Sequence, residues 1–162
     1  MNNESLVCSI QLSQRLKELN VEQESLYYYY WFKRINQYFV YTKHEFYNYE
    51  LDNYDNKKEE IPCDCSAFTI PELLFMLPTI ITIKENEPFD LFTLHIEKTF
   101  LQNETLYIVN YRCNLPEDLK EDTIFNDNPL KSELIDDVID ESLTNALAQI
   151  LISHLEGILI NN

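Results

Sequence analysis

One glycine, Gly157, is present in the whole chain. Every tight turn elsewhere must therefore be made by a residue that carries a Cβ, at roughly 1–2 kcal/mol for left-handed backbone. Asparagine tolerates that geometry best after glycine, because its short amide can bond the neighbouring backbone. Asn36, Asn53, Asn86 and Asn103 stand between apolar runs and are the expected turn formers. The same scarcity excludes function classes. Phosphate-cradling loops and dinucleotide fingerprints need several glycines so that the backbone can approach the ligand.

The hydrophobic pattern supplies the elements between those turns. Residues 9–19 place Leu12, Leu16 and Leu19 on one helical face, with Ser9 as N-cap and Asn20 as stop. Residues 26–32 and 37–47 are rich in aromatic β-formers and read as two strands of a hairpin, followed by a polar loop at 48–60. Thr69-Ile70-Pro71-Glu72 has capping-box spacing, so a short helix follows it and ends at Pro78. Strands are expected at 79–84, 90–99 and 105–113, the last two joined in a hairpin at Asn103. Residues 142–156 form a helix with Leu143, Leu147, Ile150, Leu151 and Leu155 in one stripe and Gly157 just past its end. The expectation is a single α+β domain over 1–162. An antiparallel sheet of about five strands carries the N- and C-terminal helices on one face, Leu12/Leu16 meeting Leu147/Leu151.

Charge is the second constraint. The chain has 28 acidic and 12 basic residues, a formal charge of −16, beside 45% apolar residues that suffice for a core. Such a field repels phosphate backbones and anionic lipid heads and attracts basic surfaces. Direct DNA binding and membrane binding are not expected. A basic protein is, including one that normally holds nucleic acid. Residues 116–142 carry ten Asp or Glu against two Lys, a net −8, half of the total. That stretch reads as an acidic loop or insertion at about 116–141, its end leading into the last helix. Its carboxylates Glu117, Asp118, Glu121, Asp122, Asp136, Asp137, Asp140 and Glu141 are the candidate partner-binding residues. Tyr28 and Tyr30 of the aromatic run are candidates too, since exposed aromatics anchor interfaces.

Catalysis finds less support in the residues. Cys63-Asp64-Cys65 lacks the two- or four-residue spacing of structural zinc ligands, and no carboxylate pair is singled out by its spacing. No metal, cofactor or catalytic residue is expected. Met1 to Ser5 carries no positive charge and no apolar signal region follows, so a cytoplasmic location with Cys8, Cys63, Cys65 and Cys113 reduced is expected.

Three segments also form a recognisable set: RLKELNVEQESLYY at 15–28 after Cys8-Ser9, AFTIPEL at 67–73 before Met76-Leu77-Pro78, and TNALA at 144–148. In this order and spacing the chain resembles a family of small uncharacterised proteins of bacteriophages and mobile elements, especially of Bacteroidetes hosts. The family has glycine where this chain has Asn20, and lacks so long an acidic stretch before the last helix. The shared segments are caps and amphipathic helices, so the resemblance implies a scaffold and no catalytic residue. With the charge, it implies an accessory protein of the host cytoplasm that binds and inhibits a basic host protein, an RNA-guided defence nuclease being the sharpest candidate. A virion or assembly component, and a metal-dependent enzyme, are the alternatives.

Overall fold

A computed structural model of the chain describes residues 3–52, 62–83, 90–113 and 134–157. After a 3-10 turn at Asn3–Leu6 come α1 (Ile10–Glu18), β1 (Tyr27–Phe32), β2 (Gln37–Thr42) and α2 (Lys43–Asp52). There follow β3 (Cys63–Ala67), α3 (Ile70–Met76), β4 (Ile80–Ile83), β5 (Asp90–Leu101), β6 (Glu104–Cys113), β7 (Leu134–Asp140) and α4 (Leu143–Leu155). The fold is α+β, with two antiparallel sheets in place of the expected single one: β2-β1-β3 and β4-β5-β6-β7.

The turns bear out the asparagine argument where they are described. Asn20, Asn36, Gln102 and Asn103 all have positive φ, at 62°, 54°, 50° and 72°. Gln102 and Asn103 are the two left-handed residues that a tight hairpin between right-twisted strands requires. Asn20 closes α1: Val21 N–H donates to Leu16 C=O and Asn20 N–H to Lys17 C=O, both at 3.0 Å. That is the pairing with which a left-handed residue satisfies the last carbonyls of a helix. Asn53 and Asn86 lie outside the described residues.

Besides β3, which the sequence pattern did not announce, two segments differ from the expectation. The second strand stops at Thr42, because Thr42 and Glu45 form a capping box. Thr42 N–H donates to Glu45 Oε2 at 2.8 Å, and Glu45 N–H donates to Thr42 Oγ1 at 3.1 Å. Residues 43–52 are thus a helix, placing Phe46 and Tyr49 over the aromatic face of β1 and β2. The end of the acidic stretch, 134–140, is a strand and not a loop or the start of a helix. Tyr111 pairs with Ile135 and Val109 with Val138, so Asp136 and Asp137 both stand opposite Asn110. This bulge breaks the two-residue alternation that would have announced the strand.

The largest core lies under α4. Leu147, Ile150 and Leu151 pack with Leu16 of α1, Leu73 of α3, Phe92 of β5, and Val109 and Tyr111 of β6. The two ends of the chain meet there as expected: Ser9 N–H donates to Asn145 Oδ1 at 2.8 Å, and Arg15 pairs with Glu156. β3 is short and made of small residues. Cys65, Ser66 and Ala67 are buried beside α1, whose Ser13 contacts Cys8 Sγ at 3.2 Å.

Two changes test this account. Leu147→Ala is expected to lower unfolding free energy by about 2–5 kcal/mol in urea denaturation, since it opens a cavity where three helices and a sheet meet. Gln102→Gly is expected to raise it by roughly 1 kcal/mol, since it relieves a left-handed residue that has no asparagine-like amide.

Candidate functional site

Glu72 shows how the two halves of the scaffold are joined. Thr69 N–H and Thr69 Oγ1 donate to its Oε2 at 2.7 and 2.6 Å, and Leu26 N–H donates to Oε1 at 3.0 Å. One carboxylate thus caps α3 and holds the residue that leads into β1. Burial pushes the Glu72 carboxyl up, but the hydrogen bonds from Thr69 and Leu26 outweigh it and leave it lowered.

Among the described residues of the expected docking set, Asp137 and Asp140 lie on opposite faces of β7. Glu117, Asp118, Glu121 and Asp122 lie outside the described residues. Asp136 belongs to β7. Asp137 is exposed on the sheet face away from α4, where its Oδ1 accepts from Asn110 Nδ2 at 2.6 Å. Asp140 is on the opposite face and is already used: its oxygens accept from Ser142 N–H at 2.8 Å and Gln149 Nε2 at 2.9 Å, at the start of α4. Strand alternation forces this split. Glu141 is exposed, just before α4.

Tyr28 and Tyr30, expected as partner contacts, are core residues, each only 5% exposed. The Tyr30 ring stacks on Phe46 at 3.9 Å between centroids, and Lys43 Nζ lies 4.7 Å from the centre of the Tyr28 ring. The cover is α2, whose first turn the aromatic pattern of 37–47 assigned to the preceding strand. Cys8 and Cys65 are buried as well, whereas Cys63 is exposed. Burial pushes the Cys8 and Cys63 thiols up and the Cys65 thiol up to about 12, so the thiolate needed for nucleophilic or metal chemistry is disfavoured.

What the fold does assemble is a groove of about 700 Å³ between the two sheets. Tyr107 of β6 forms part of its floor, Val7 and Ile10 one wall, and the first turn of α4 the other. Glu4 and Glu141 are at its lining, with Gln37 and Tyr38 from the start of β2. Tyr38 is held there: its hydroxyl donates to Asp64 Oδ2 at 2.9 Å and accepts from Gln14 Nε2 at 3.3 Å. Ser142 Oγ accepts from Asn145 N–H at 3.4 Å, and Leu143 and Thr144 of the first turn of α4 are among the lining residues. On the same sheet face as Tyr107, the hairpin runs on to Phe100, which is 70% exposed. Sequence reasoning missed this groove because its residues come from six separate segments. The one local signal was the Ser142 cap beside Glu141.

A second polar set lies on the far face of the larger sheet. Arg112 donates to Glu97 Oε2 at 3.3 Å and approaches His95 Nε2 at 3.5 Å, beside the Asn110–Asp137 pair. His95 Nδ1, Asn110 Oδ1 and Arg112 Nε are buried without hydrogen-bond partners.

Comparison of the chain with family models, with curated proteins and with solved structures finds no match. Among the described residues no helix is long and apolar enough to cross a membrane.

The lowered Glu72 carboxyl has a testable sign. Its folded value lies below its ordinary value of 4.5, so its contribution to stability is complete above that pH and is lost as pH falls through the folded value. The difference in unfolding free energy between wild type and Glu72→Gln is therefore expected to be constant from neutral pH down to about 4.5, then to shrink on further acidification. A difference that persisted unchanged into stronger acid would contradict the assignment.

Proposed function

We propose that this protein works by binding a cationic protein partner. The observation that carries the reading is the uncompensated charge. Arg15, Lys17 and Arg112 take up the carboxylates Glu18, Glu156, Asp64 and Glu97, and Lys43 and Lys98 lie over aromatic rings. With 28 acids against 12 bases, most of the remaining carboxylates have no cation of their own to meet. A field of this sign speeds encounter with a basic surface and discourages nucleic acid and anionic lipid.

The partner class favoured here is a host nuclease that holds RNA or DNA in a basic channel, in particular an RNA-guided effector. The resemblance of 15–28, 67–73 and 144–148 to phage and mobile-element proteins supports it, since such proteins act inside the host cytoplasm. The chain would then be an accessory inhibitor. The acidic surface would lie around the groove and the outer strands rather than on one face of β7, because Asp137 and Asp140 point to opposite sides and both accept internal hydrogen bonds.

Purified RNA-guided nucleases from a defence-proficient host should bind the protein with an affinity that falls roughly tenfold or more between about 0.05 and 0.15 M salt, as screened charges require. Calorimetry or surface plasmon resonance reads this directly. Salt-insensitive binding would remove the electrostatic basis. Self-association in gel filtration, with no binding to any nuclease, would favour a virion or assembly component.

A further inference from the structure

We propose that the free margin of β5 pairs with the same margin of a second copy of this chain, joining the two larger sheets across a two-fold axis at Thr99. This is independent of the preceding reading, since a nuclease-binding protein can also be a dimer. The larger sheet has a notch. β4 pairs with β5 only over Asp90–Thr93, while the hairpin of β5 and β6 continues to Leu101. Leu94 N–H donates to Thr79 C=O at 3.3 Å, the last described bond on that side. Backbone groups alternate sides along a strand, so even-numbered residues of β5 turn theirs toward β4 and odd-numbered ones toward β6. The pair Leu101–Glu104 that closes the hairpin agrees with this parity. The N–H and C=O groups of Ile96, Lys98 and Phe100 therefore point outward, and among the described residues they have no hydrogen-bond partner. The side chains along this margin are uncovered too, with Ile96 39%, Phe100 70% and Leu101 60% exposed.

Such an edge is a template for another strand. The chain itself supplies a matching one, because a two-fold axis normal to the sheet sets the margin against itself with each outward N–H facing a C=O. Local chemistry selects the register. Centred on Lys98, the pairing would set two lysines opposite each other and drive the turn at Gln102 against Thr79 of the other copy. Centred on Phe100, it would leave one hydrogen-bonded pair within the strands. Centred on Thr99, it avoids both faults. Lys98 of each copy then stands opposite Phe100 of the other, and each of these pairs exchanges two hydrogen bonds. Lys98 Nζ already lies 5.5 Å from the centre of its own Phe100 ring, so two ammonium groups and two rings gather in one cluster. On the other face Thr99 meets Thr99, a favourable cross-strand pair. The charge is balanced here as well. From His95 to Arg112 the acids Glu97 and Glu104 are matched by Lys98 and Arg112, so two chains of −16 approach without a local excess of carboxylates.

Sedimentation velocity on the full chain, from micromolar to near-millimolar concentration, is expected to show a monomer–dimer equilibrium. Added salt should tighten it, because screening relieves the repulsion between like-charged copies, the reverse of its effect on nuclease binding. Lys98→Pro removes an outward N–H and no bond to β6, and should weaken dimerisation by roughly tenfold or more, as the loss of two hydrogen bonds implies. Mild oxidation of single-site variants reads the register. In the Thr99 register the two Thr99 Cα atoms stand about 4.5 Å apart, within disulfide reach, whereas Glu97 faces Leu101. Thr99→Cys should therefore give a linked dimer, mapped by mass spectrometry, and Glu97→Cys should not. Both are made with Cys63→Ser, since Cys63 is exposed. The proposal is overturned by a monomer at every concentration and salt, by a dimer that Lys98→Pro leaves unchanged, or by linkage of Glu97→Cys as readily as Thr99→Cys. If circular dichroism shows that Lys98→Pro does not fold, the two cysteine variants decide. A monomer that binds the nuclease with steep salt dependence removes the dimer and leaves the cationic partner standing. A linked dimer that binds no nuclease does the reverse.

Discussion

The structure depends on the burial of one helix. α4 has six fully or nearly fully buried residues, Thr144, Ala146, Leu147, Ala148, Ile150 and Leu151, and contacts α1, α3, β6 and β7. Ala146 and Ala148 let neighbouring backbones come close, and the leucines and isoleucine fill the space between them. Neither half of the chain could bury its own apolar face. The larger sheet needs α4 as its cover, and the N-terminal segment needs it as a wall. The groove follows from this arrangement, since it opens where α4 starts and the two sheets separate.

Local chemistry was largely legible. The α1 stripe and its stop at Asn20, the Thr69–Glu72 box, the turn at Asn103 and the α4 stripe each involve residues within a few positions of one another, and each appears where the pattern places it. The elements that escaped were those whose cause is a partner distant in sequence. β3 has no hydrophobic alternation, because its small residues answer to α1 packed against them. β7 hides its alternation in a bulge opposite Asn110. α2 was readable in principle, since Thr42-Lys43-His44-Glu45 has the same spacing as the recognised box. The aromatic run before it, continuing through Phe46 and Tyr47, outweighed that signal.

The candidate site was less legible than the fold, for a related reason. A run of acids in sequence becomes a surface only if the backbone keeps the side chains on one side, and a β-strand does the reverse. Asp140 sets its carboxylate at the start of α4, where it complements the helix dipole, and Asp137 accepts from the amide nitrogen of the buried Asn110. Glu141, one residue past the strand, is released from alternation and faces the groove. Composition could show how much charge there is, but only the position of α4 shows where a carboxylate is free to meet something else.

The shortage of glycine also acts on the state that is never seen in the fold. A typical chain of this length would carry about ten more glycines. Each one replaced by a residue with a side chain narrows the disordered ensemble, lowering the entropy lost on folding by about 0.4–1 kcal/mol. The four left-handed side-chain-bearing residues among those described are a modest strain beside that advantage. A protein with so large a self-repelling charge begins its collapse from a stiffer, less permissive coil, and this offsets part of what the repulsion takes away.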